Sequence, residues 1–172
     1  LILASAEGLE KLGKQRVDTI EILSCRVATA SIASDADALA LTNITHAAEQ
    51  AYREAGVRPD DIDIAEVHDC FTVAEILSYE ALGFASAGQG ARMLRDGETE
   101  IQGRLPVNTG GGLVGFGHPV GATGVKQALE IWRQAKGLCG EYQVPTTPTT
   151  AISANMGGDD RTAVVTIYRN QT

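Results

Sequence analysis

The chain has 172 residues, a formal net charge of −8 at pH 7 and an isoelectric point near 4.8, which argue against a general nucleic-acid-binding protein. Hydrophobic residues make up 44% of the sequence and aromatic residues only 5%, so a core must be built mainly from Ala, Val, Leu and Ile. No apolar run approaches the length of a membrane span. Three cysteines, an odd number without zinc-site spacing, indicate reduced thiols and predict a cytoplasmic protein.

Two strands and a helix are predicted in the first third of the chain. Residues 1–4 have the pattern of a strand already under way, and residues 21–27 form a second strand-like run. No methionine or lead-in precedes residue 1. Residues 42–55 have apolar side chains at helical spacing before Gly56, which predicts an amphipathic helix with His46 on its solvated side.

A His-Asp-Cys-Phe motif occupies residues 68–71, between a predicted strand and a predicted helix. The strand covers residues 62–67, and helical spacing runs through residues 72–82. His68 and Cys70 therefore emerge beside a helix N-terminus, where unpaired amides tend to lower the pKa of a thiol. The alternative for Cys70 is a small buried side chain without a chemical role, which is the state of most free cysteines.

The middle of the chain is rich in glycine. Residues 84–104 contain four glycines and predict a helical insertion between loops. Further along, Gly110, Gly112 and Gly115 spell the G-x-G-x-x-G pattern of dinucleotide-binding turns. That pattern requires a preceding strand and a following helix, and neither is predicted here, so we reject dinucleotide binding. The sequence also lacks the G-x-S-x-G elbow of serine hydrolases.

His118 lies in the glycine-rich run 117–124, just before a helical pattern. Gly117 permits a sharp turn, while Pro119 restricts the backbone of the histidine and suits the first turn of a helix. The positive end of a helix dipole disfavours an imidazolium, and a neutral, oriented imidazole is suited to act as a general base. A structural histidine in a turn is the alternative, but the motif at residues 68–71 favours a shared site.

The last third of the chain predicts one helix and two strands. The helix covers residues 125–135, and the strands cover residues 151–154 and 162–168. Strands that alternate with helices predict an α/β fold with a largely buried sheet covered by helices. The acidic pairs at 60–61 and 159–160 are interpreted as a helix start and a turn, and neither is interpreted as a metal site.

These motifs closely resemble the C-terminal half of a thiolase of the sterol-carrier-protein type, in which His-Asp-Cys-Phe replaces the Asn-Glu-Ala-Phe of most thiolases. The resemblance covers essentially all of residues 1–172 and implies one C-terminal thiolase domain. The implied fold is the C-terminal half of the five-layered αβαβα architecture, with the nucleophilic cysteine in an N-terminal half outside this chain. The matching segments, in family order, are residues 68–71, 78–83, 88–91, 106–112, 117–124 and 155–158.

The resemblance also implies roles for individual residues. His118 would accept the proton of the nucleophilic cysteine, and His68 and His118 together would form an oxyanion hole. Cys70 would be the acid/base at the α-carbon, because most thiolases place that cysteine where this chain has Asn155. The backbone amide of Gly157 would supply a donor of the second oxyanion hole.

The implied activity is the exchange of acyl groups between coenzyme A thioesters, by thiolytic cleavage of a 3-ketoacyl-CoA or the reverse Claisen condensation. Asn155 and Phe71 are the candidates for contacts with the acyl-CoA substrate, and no further cofactor or metal is implied. The expected partners are the N-terminal half and further copies of the protein in a homodimer or higher oligomer. Several relatives of this branch also associate with a small zinc- and OB-fold-containing protein.

Two other functions remain open on the sequence. A thiolase-fold aldolase would cleave a carbon–carbon bond in a coenzyme A ester without a covalent cysteine. A non-catalytic, thiolase-like scaffold would need no acid/base residues, and the presence of His68, Cys70 and His118 together argues against it.

Overall fold

A mixed four-stranded sheet forms the centre of the computed structural model, which describes residues 1–33, 37 and 39–172. Single turns of 3₁₀ helix also occur at Arg16–Asp18, Pro59–Asp61 and Gly140–Tyr142. The main elements in chain order are α1 (Ala6–Lys11), β1 (Ile20–Thr29), α2 (Thr42–Ala55), β2 (Ile64–Glu66), α3 (Thr72–Ala81), α4 (Gly90–Arg95), α5 (Gly112–Phe116), α6 (Thr123–Ala135), β3 (Thr150–Gly157) and β4 (Thr162–Asn170).

The strand order is β1-β4-β3-β2, and β2 is the strand that leads into the His-Asp-Cys-Phe motif. The β1–β4 and β4–β3 pairs are antiparallel, whereas β2 runs parallel to β3 and pairs Glu66 with Ser153. When this register is continued by two positions along both strands, His68 lies opposite Asn155. The parallel pair therefore carries two candidate site residues to the same end of the sheet.

Each face of the sheet packs against a different set of helices. Neighbouring residues on a strand point to opposite faces, so Ile152 and Ile167 pack in the core with α2 while Ala151 and Tyr168 pack with α6. The buried face of α2 includes Ala47, which lets the helix lie close to the strands. This arrangement confirms the predicted α/β fold with a largely buried sheet.

Several predicted elements are confirmed by the structure. The helix predicted for residues 42–55 coincides with α2 and ends at Gly56, whose φ of 68° is the left-handed cap conformation. The strand predicted for residues 1–4 is wrong. No described strand pairs with this segment, and the side chain of Leu1 is 73% exposed, so the segment has neither the ladder nor the burial that stabilises a strand.

The turn between β3 and β4 also holds the N-terminus of α2. Asp159 and Asp160 both adopt positive φ, and the carboxylate of Asp160 is buried. It accepts hydrogen bonds from the backbone amides of Asn43 at 2.7 Å and Ile44 at 3.1 Å. Since Leu41 at the N-cap position offers no side-chain acceptor, Asp160 performs that function from a distant part of the chain.

We expect Asp160→Ala to lower the free energy of unfolding by about 0.5–2 kcal/mol, because it leaves two helix amides without an acceptor. Urea denaturation measures this change. Asp159→Ala is the matched control, because Asp159 has the same positive φ and is exposed. An equal loss of stability in the two variants would show that the turn conformation, rather than the cap, accounts for the effect.

Candidate active site

His68 follows the end of β2 and is held by a residue of the neighbouring strand. The residue is 4% exposed, and its Nδ1 lies 2.5 Å from Oδ1 of Asn155 on β3. An amide oxygen can only accept, so Nδ1 is the nitrogen that carries the proton in this contact. Nε2 is the nitrogen left for a reacting group. The side chain of Asn155, predicted as a substrate contact, is thus used to orient His68.

His118 lies in the turn that connects α5 to α6. Its Nδ1 is 2.7 Å from Oγ1 of Thr123, and the Thr123 hydroxyl donates in turn to the carbonyl of Pro119 at 3.3 Å. The hydroxyl oxygen therefore accepts from Nδ1–H, which leaves the Nε2 lone pair of His118 available. The sequence had suggested that Pro119 lies in the first turn of the helix. Because α6 begins at Thr123, Pro119 lies instead in the turn that precedes it.

The two histidines meet edge to face. Their ring centroids are 4.8 Å apart, and the ring planes cross at 88°. Burial lowers the pKa of His68 below its ordinary value, and the proximity of His118 acts in the same direction, while the hydrogen bond with Asn155 opposes the shift. His68 is therefore neutral at pH 7.

Cys70 is half-buried at the start of α3, and its thiol is less acidic than the sequence had suggested. Burial raises the pKa of Cys70, and the charge of Asp69 acts in the same direction. The backbone amide of Phe71 lowers it, as expected of a helix N-terminus, but does not outweigh burial. The thiol is therefore protonated at neutral pH. The Phe71 side chain beside it is 73% exposed, and its predicted substrate contact stays a prediction.

Asp69 connects the two halves of the site, a role that the sequence analysis missed. Its buried carboxylate accepts from the backbone amides of Leu113 at 2.7 Å and Val114 at 3.4 Å, at the N-terminus of α5. A Cβ at Gly112 would overlap this carboxylate, and Gly112 has a φ of 59°, so glycine is required there for two reasons. The helix α5 was not predicted, because its cap comes from a residue more than 40 positions earlier.

Asn108 fixes the backbone just before His68 and was also missed. Asn108 has a φ of 50°. Its backbone amide donates to the carbonyl of Ala65 at 3.0 Å, and its side-chain Oδ1 accepts from the backbone amide of Val67 at 2.9 Å. These bonds extend the outer edge of β2 up to the histidine. An asparagine two positions before a triple glycine is a signal for a left-handed turn, but the residues to which Asn108 bonds are not visible in the sequence.

Gly157 lies at the end of β3, two residues after Asn155, so the two residues share one face of the sheet. Both line a cleft of about 270 Å³, together with Gly124 and Gln127 of α6. A Cβ at Gly157 would meet no atom within 4 Å, so this glycine faces open space. Its predicted role as an amide donor stays a prediction.

The described residues give two further results about function. No group of three or more His, Cys, Asp or Glu side chains among them is arranged to hold a metal ion. In the same part of the chain, no helix combines the length and the apolar character that a membrane crossing requires.

Two turns at one end of the α/β sheet bring the rings of His68 and His118 into contact, and Cys70 follows His68 by two residues. Residues 24–170 match the family model described as "Thiolase C-terminal domain-like". The chain therefore belongs to the thiolase C-terminal domain family, and the resemblance stated from the sequence is confirmed.

Several curated proteins are similar to this chain over part of their length. Acetyl-CoA acetyltransferase from Methanothermobacter thermautotrophicus is 46% identical over 123 residues, which cover 72% of this chain and 32% of that protein. Sterol carrier protein 2 from Oryctolagus cuniculus is 38% identical and covers 98% of this chain, and the benzoylsuccinyl-CoA thiolase subunit BbsB from Thauera aromatica is 41% identical and covers 66%. The chain spans 30–32% of the length of these three relatives.

A solved structure shares the fold. The chain titled "Ltp2-ChsH2(DUF35) aldolase" superposes with a TM-score of 0.74 at 23% identity, over 88% of this chain and 40% of that one. At this identity the likeness shows the fold alone, and it confirms the thiolase fold.

We expect Asn155→Leu to lower the pKa of His68 further, because the hydrogen bond with Asn155 is a contact that raises it. NMR titration of the imidazole signals measures the change. Ser153→Ala is the matched control on the same strand, because the Ser153 hydroxyl bonds to Tyr168 and not to His68. A pKa of His68 that rises in Asn155→Leu would contradict the proposed direction of this hydrogen bond.

Proposed function

We propose that this chain is the C-terminal catalytic half of an enzyme that transfers acyl groups between coenzyme A thioesters. The reaction is thiolytic cleavage of a 3-ketoacyl-CoA or its reverse, Claisen condensation. The observation that carries this proposal is the edge-to-face pair of His68 and His118, in which each Nδ1 has its own acceptor and each Nε2 is left for reacting groups. The names of the thiolase and acetyltransferase relatives support it.

His118 acts as the general base of the first half-reaction. Its Nε2 lone pair accepts the proton of a nucleophilic thiol, which an N-terminal half of the fold supplies, and the thiolate attacks the thioester carbonyl. The sulfur of coenzyme A then leaves and takes the proton back from His118. The Thr123 hydroxyl holds the ring in the tautomer that this step needs.

Cys70 performs the proton transfer of the second half-reaction. In condensation it removes the α-proton of a second acyl-CoA, and in cleavage it returns that proton to the leaving enolate. The half-buried, protonated thiol described above suits the cleavage direction, in which an acid is required. The charge on the enolate oxygen is stabilised by N–H donors, and loss of one such donor typically costs about 2.7–4 kcal/mol of barrier.

The oxyanion donors are His118, His68 and the amide of Gly157. Because Nδ1–H of each histidine is bonded to its own acceptor, Asn155 for His68 and Thr123 for His118, each ring donates from Nε2 only after that Nε2 has itself gained a proton. The backbone amide of Gly157 donates without this requirement.

A thiolase-fold aldolase is the second candidate function. The acceptor state of His68 Nε2 fits the hydroxyl proton of a 3-hydroxyacyl-CoA, and a solved aldolase has the same fold. The two reactions differ in the covalent intermediate. Incubation of the intact protein with an acyl-CoA, followed by mass spectrometry, finds an acyl-cysteine in a thiolase and none in an aldolase.

His118→Ala and Cys70→Ala should separate the two half-reactions. His118→Ala slows acyl-enzyme formation and the whole reaction. Cys70→Ala still loads the acyl group but loses about 10²–10⁴-fold in carbon–carbon bond formation, the usual contribution of a positioned acid/base. Trapping by mass spectrometry measures loading, and deuterium exchange at the α-carbon measures the second step. Normal exchange in Cys70→Ala would assign the acid/base to another residue.

We also propose that the active species contains an N-terminal half of similar size and is a homodimer or higher oligomer. The relatives support the presence of further chain, because this chain spans only 30–32% of their length. Native mass spectrometry of untagged protein from its source measures the subunit mass and identifies any co-purifying chain, such as a zinc- and OB-fold-containing partner. An active monomer of 18.1 kDa would contradict this proposal.

A further inference from the structure

Three elements of the site meet at one partly buried cation. Lys126, on α6, places its Nζ 3.1 Å from Oε2 of Glu66 at the end of β2. The same Nζ lies 4.4 Å from the ring centroid of Phe116, the last residue of α5, which is within the range of a cation–π contact. Lys126 therefore contacts β2 and α5 at the same time.

The two residues that Lys126 contacts each precede a candidate catalytic histidine by two positions. Glu66 leads into His68, and Phe116 leads into His118. The edge-to-face geometry of the two rings depends on how these two backbone segments lie relative to each other, and no backbone pairing between the segments is found among the described residues. Two side chains link them: Asp69, whose carboxylate accepts from the amides of Leu113 and Val114, and Lys126, which contacts both Glu66 and Phe116.

The Phe116 ring fits between Lys126 and the glycine loop. A Cβ at Gly110 would lie 2.8 Å from Cε2 of Phe116 and 2.8 Å from Oε2 of Glu130, so the ring position requires glycine there. The ring is thus confined on one side by backbone and contacted by the ammonium group of Lys126. Displacement of the ring would move the turn that carries His118.

We infer that Lys126 is a positioning residue that sets the spacing of His68 and His118 through Glu66 and Phe116. The inference rests on the proposed function. Lys126 does not contact the reacting atoms in this account, and it acts only through the two segments.

A simpler role must be distinguished from positioning. Glu66 is 1% exposed, and its Oε1 has no hydrogen-bond partner among the described residues. Burial raises the pKa of Glu66 to about 7, Lys126 opposes this, and Glu130 and Asp69 add to it. Lys126 could therefore act only as a counter-charge for a buried carboxylate, and removing a partner of a buried ion pair is destabilising in itself.

Four variants of the intact protein separate the two roles. Lys126→Met removes the charge and should lower kcat by about 10–100-fold with little change in KM, since a displacement near 1 Å can cost about 100-fold. Lys126→Arg keeps a cation for both contacts and should retain most of the activity. Phe116→Leu removes the cation–π contact, keeps both Lys126 and Glu66, and should reproduce the loss of kcat. The fourth variant combines Lys126→Met with Glu66→Gln, which removes the uncompensated charge.

The double variant decides between the roles. Positioning predicts that it regains the thermal stability lost in Lys126→Met while kcat stays low. A return of kcat to the wild-type value would show that Lys126 serves only as a counter-charge, and the inference would fail.

A readout that does not depend on catalysis accompanies these assays. The imidazole NMR signals of His118, assigned with His118→Asn, should shift in the double variant and stay near wild type in Lys126→Arg. Unchanged signals in the double variant would overturn the inference. If the wild-type protein shows no acyl transfer but the signals shift, the proposed function fails and the positioning role stands.

Discussion

The parallel pairing of β2 with β3 is the constraint on which the site depends. Parallel strands present their carboxyl ends at the same edge of a sheet, and this register sets His68 opposite Asn155. β2 has only three residues, so its position is secured from outside the pair by Asn108, which bonds on its outer edge. A one-residue slip would turn His68 to the other face and remove it from the site.

Buried polar contacts give the site its chemistry. Thr123 and Asn155 each bond to the Nδ1 of one histidine, so Nε2 is the nitrogen of each ring that these bonds leave available. Burial lowers the pKa of His68 and raises the pKa of Cys70, because it favours the neutral form of each side chain. The imidazole therefore loses its proton more readily, and the thiol keeps its proton. A neutral acceptor and a neutral donor therefore coexist at pH 7.

The sequence predicted those features that short-range patterns determine. The period of apolar residues located α2 and its Gly56 cap, and two motifs identified His68 and His118. The remaining features depend on contacts between distant residues. The cap that Asp69 provides for α5, which contains Leu113, joins positions more than 40 residues apart, so no local pattern shows it. The thiol pKa was expected in the wrong direction, because burial is a tertiary property.

The two ends of α2 are capped by residues that lie at very different distances along the chain. Gly56 closes the C-terminus with a local hydrogen bond to Tyr52, which a short peptide could form. The N-terminus depends on Asp160, which is 117 residues from Asn43, so it is complete only when the β3–β4 turn has docked. Hydrogen exchange along one helix should therefore be graded: the amides of the first turn report global unfolding of the sheet, while the last turn reports local fraying.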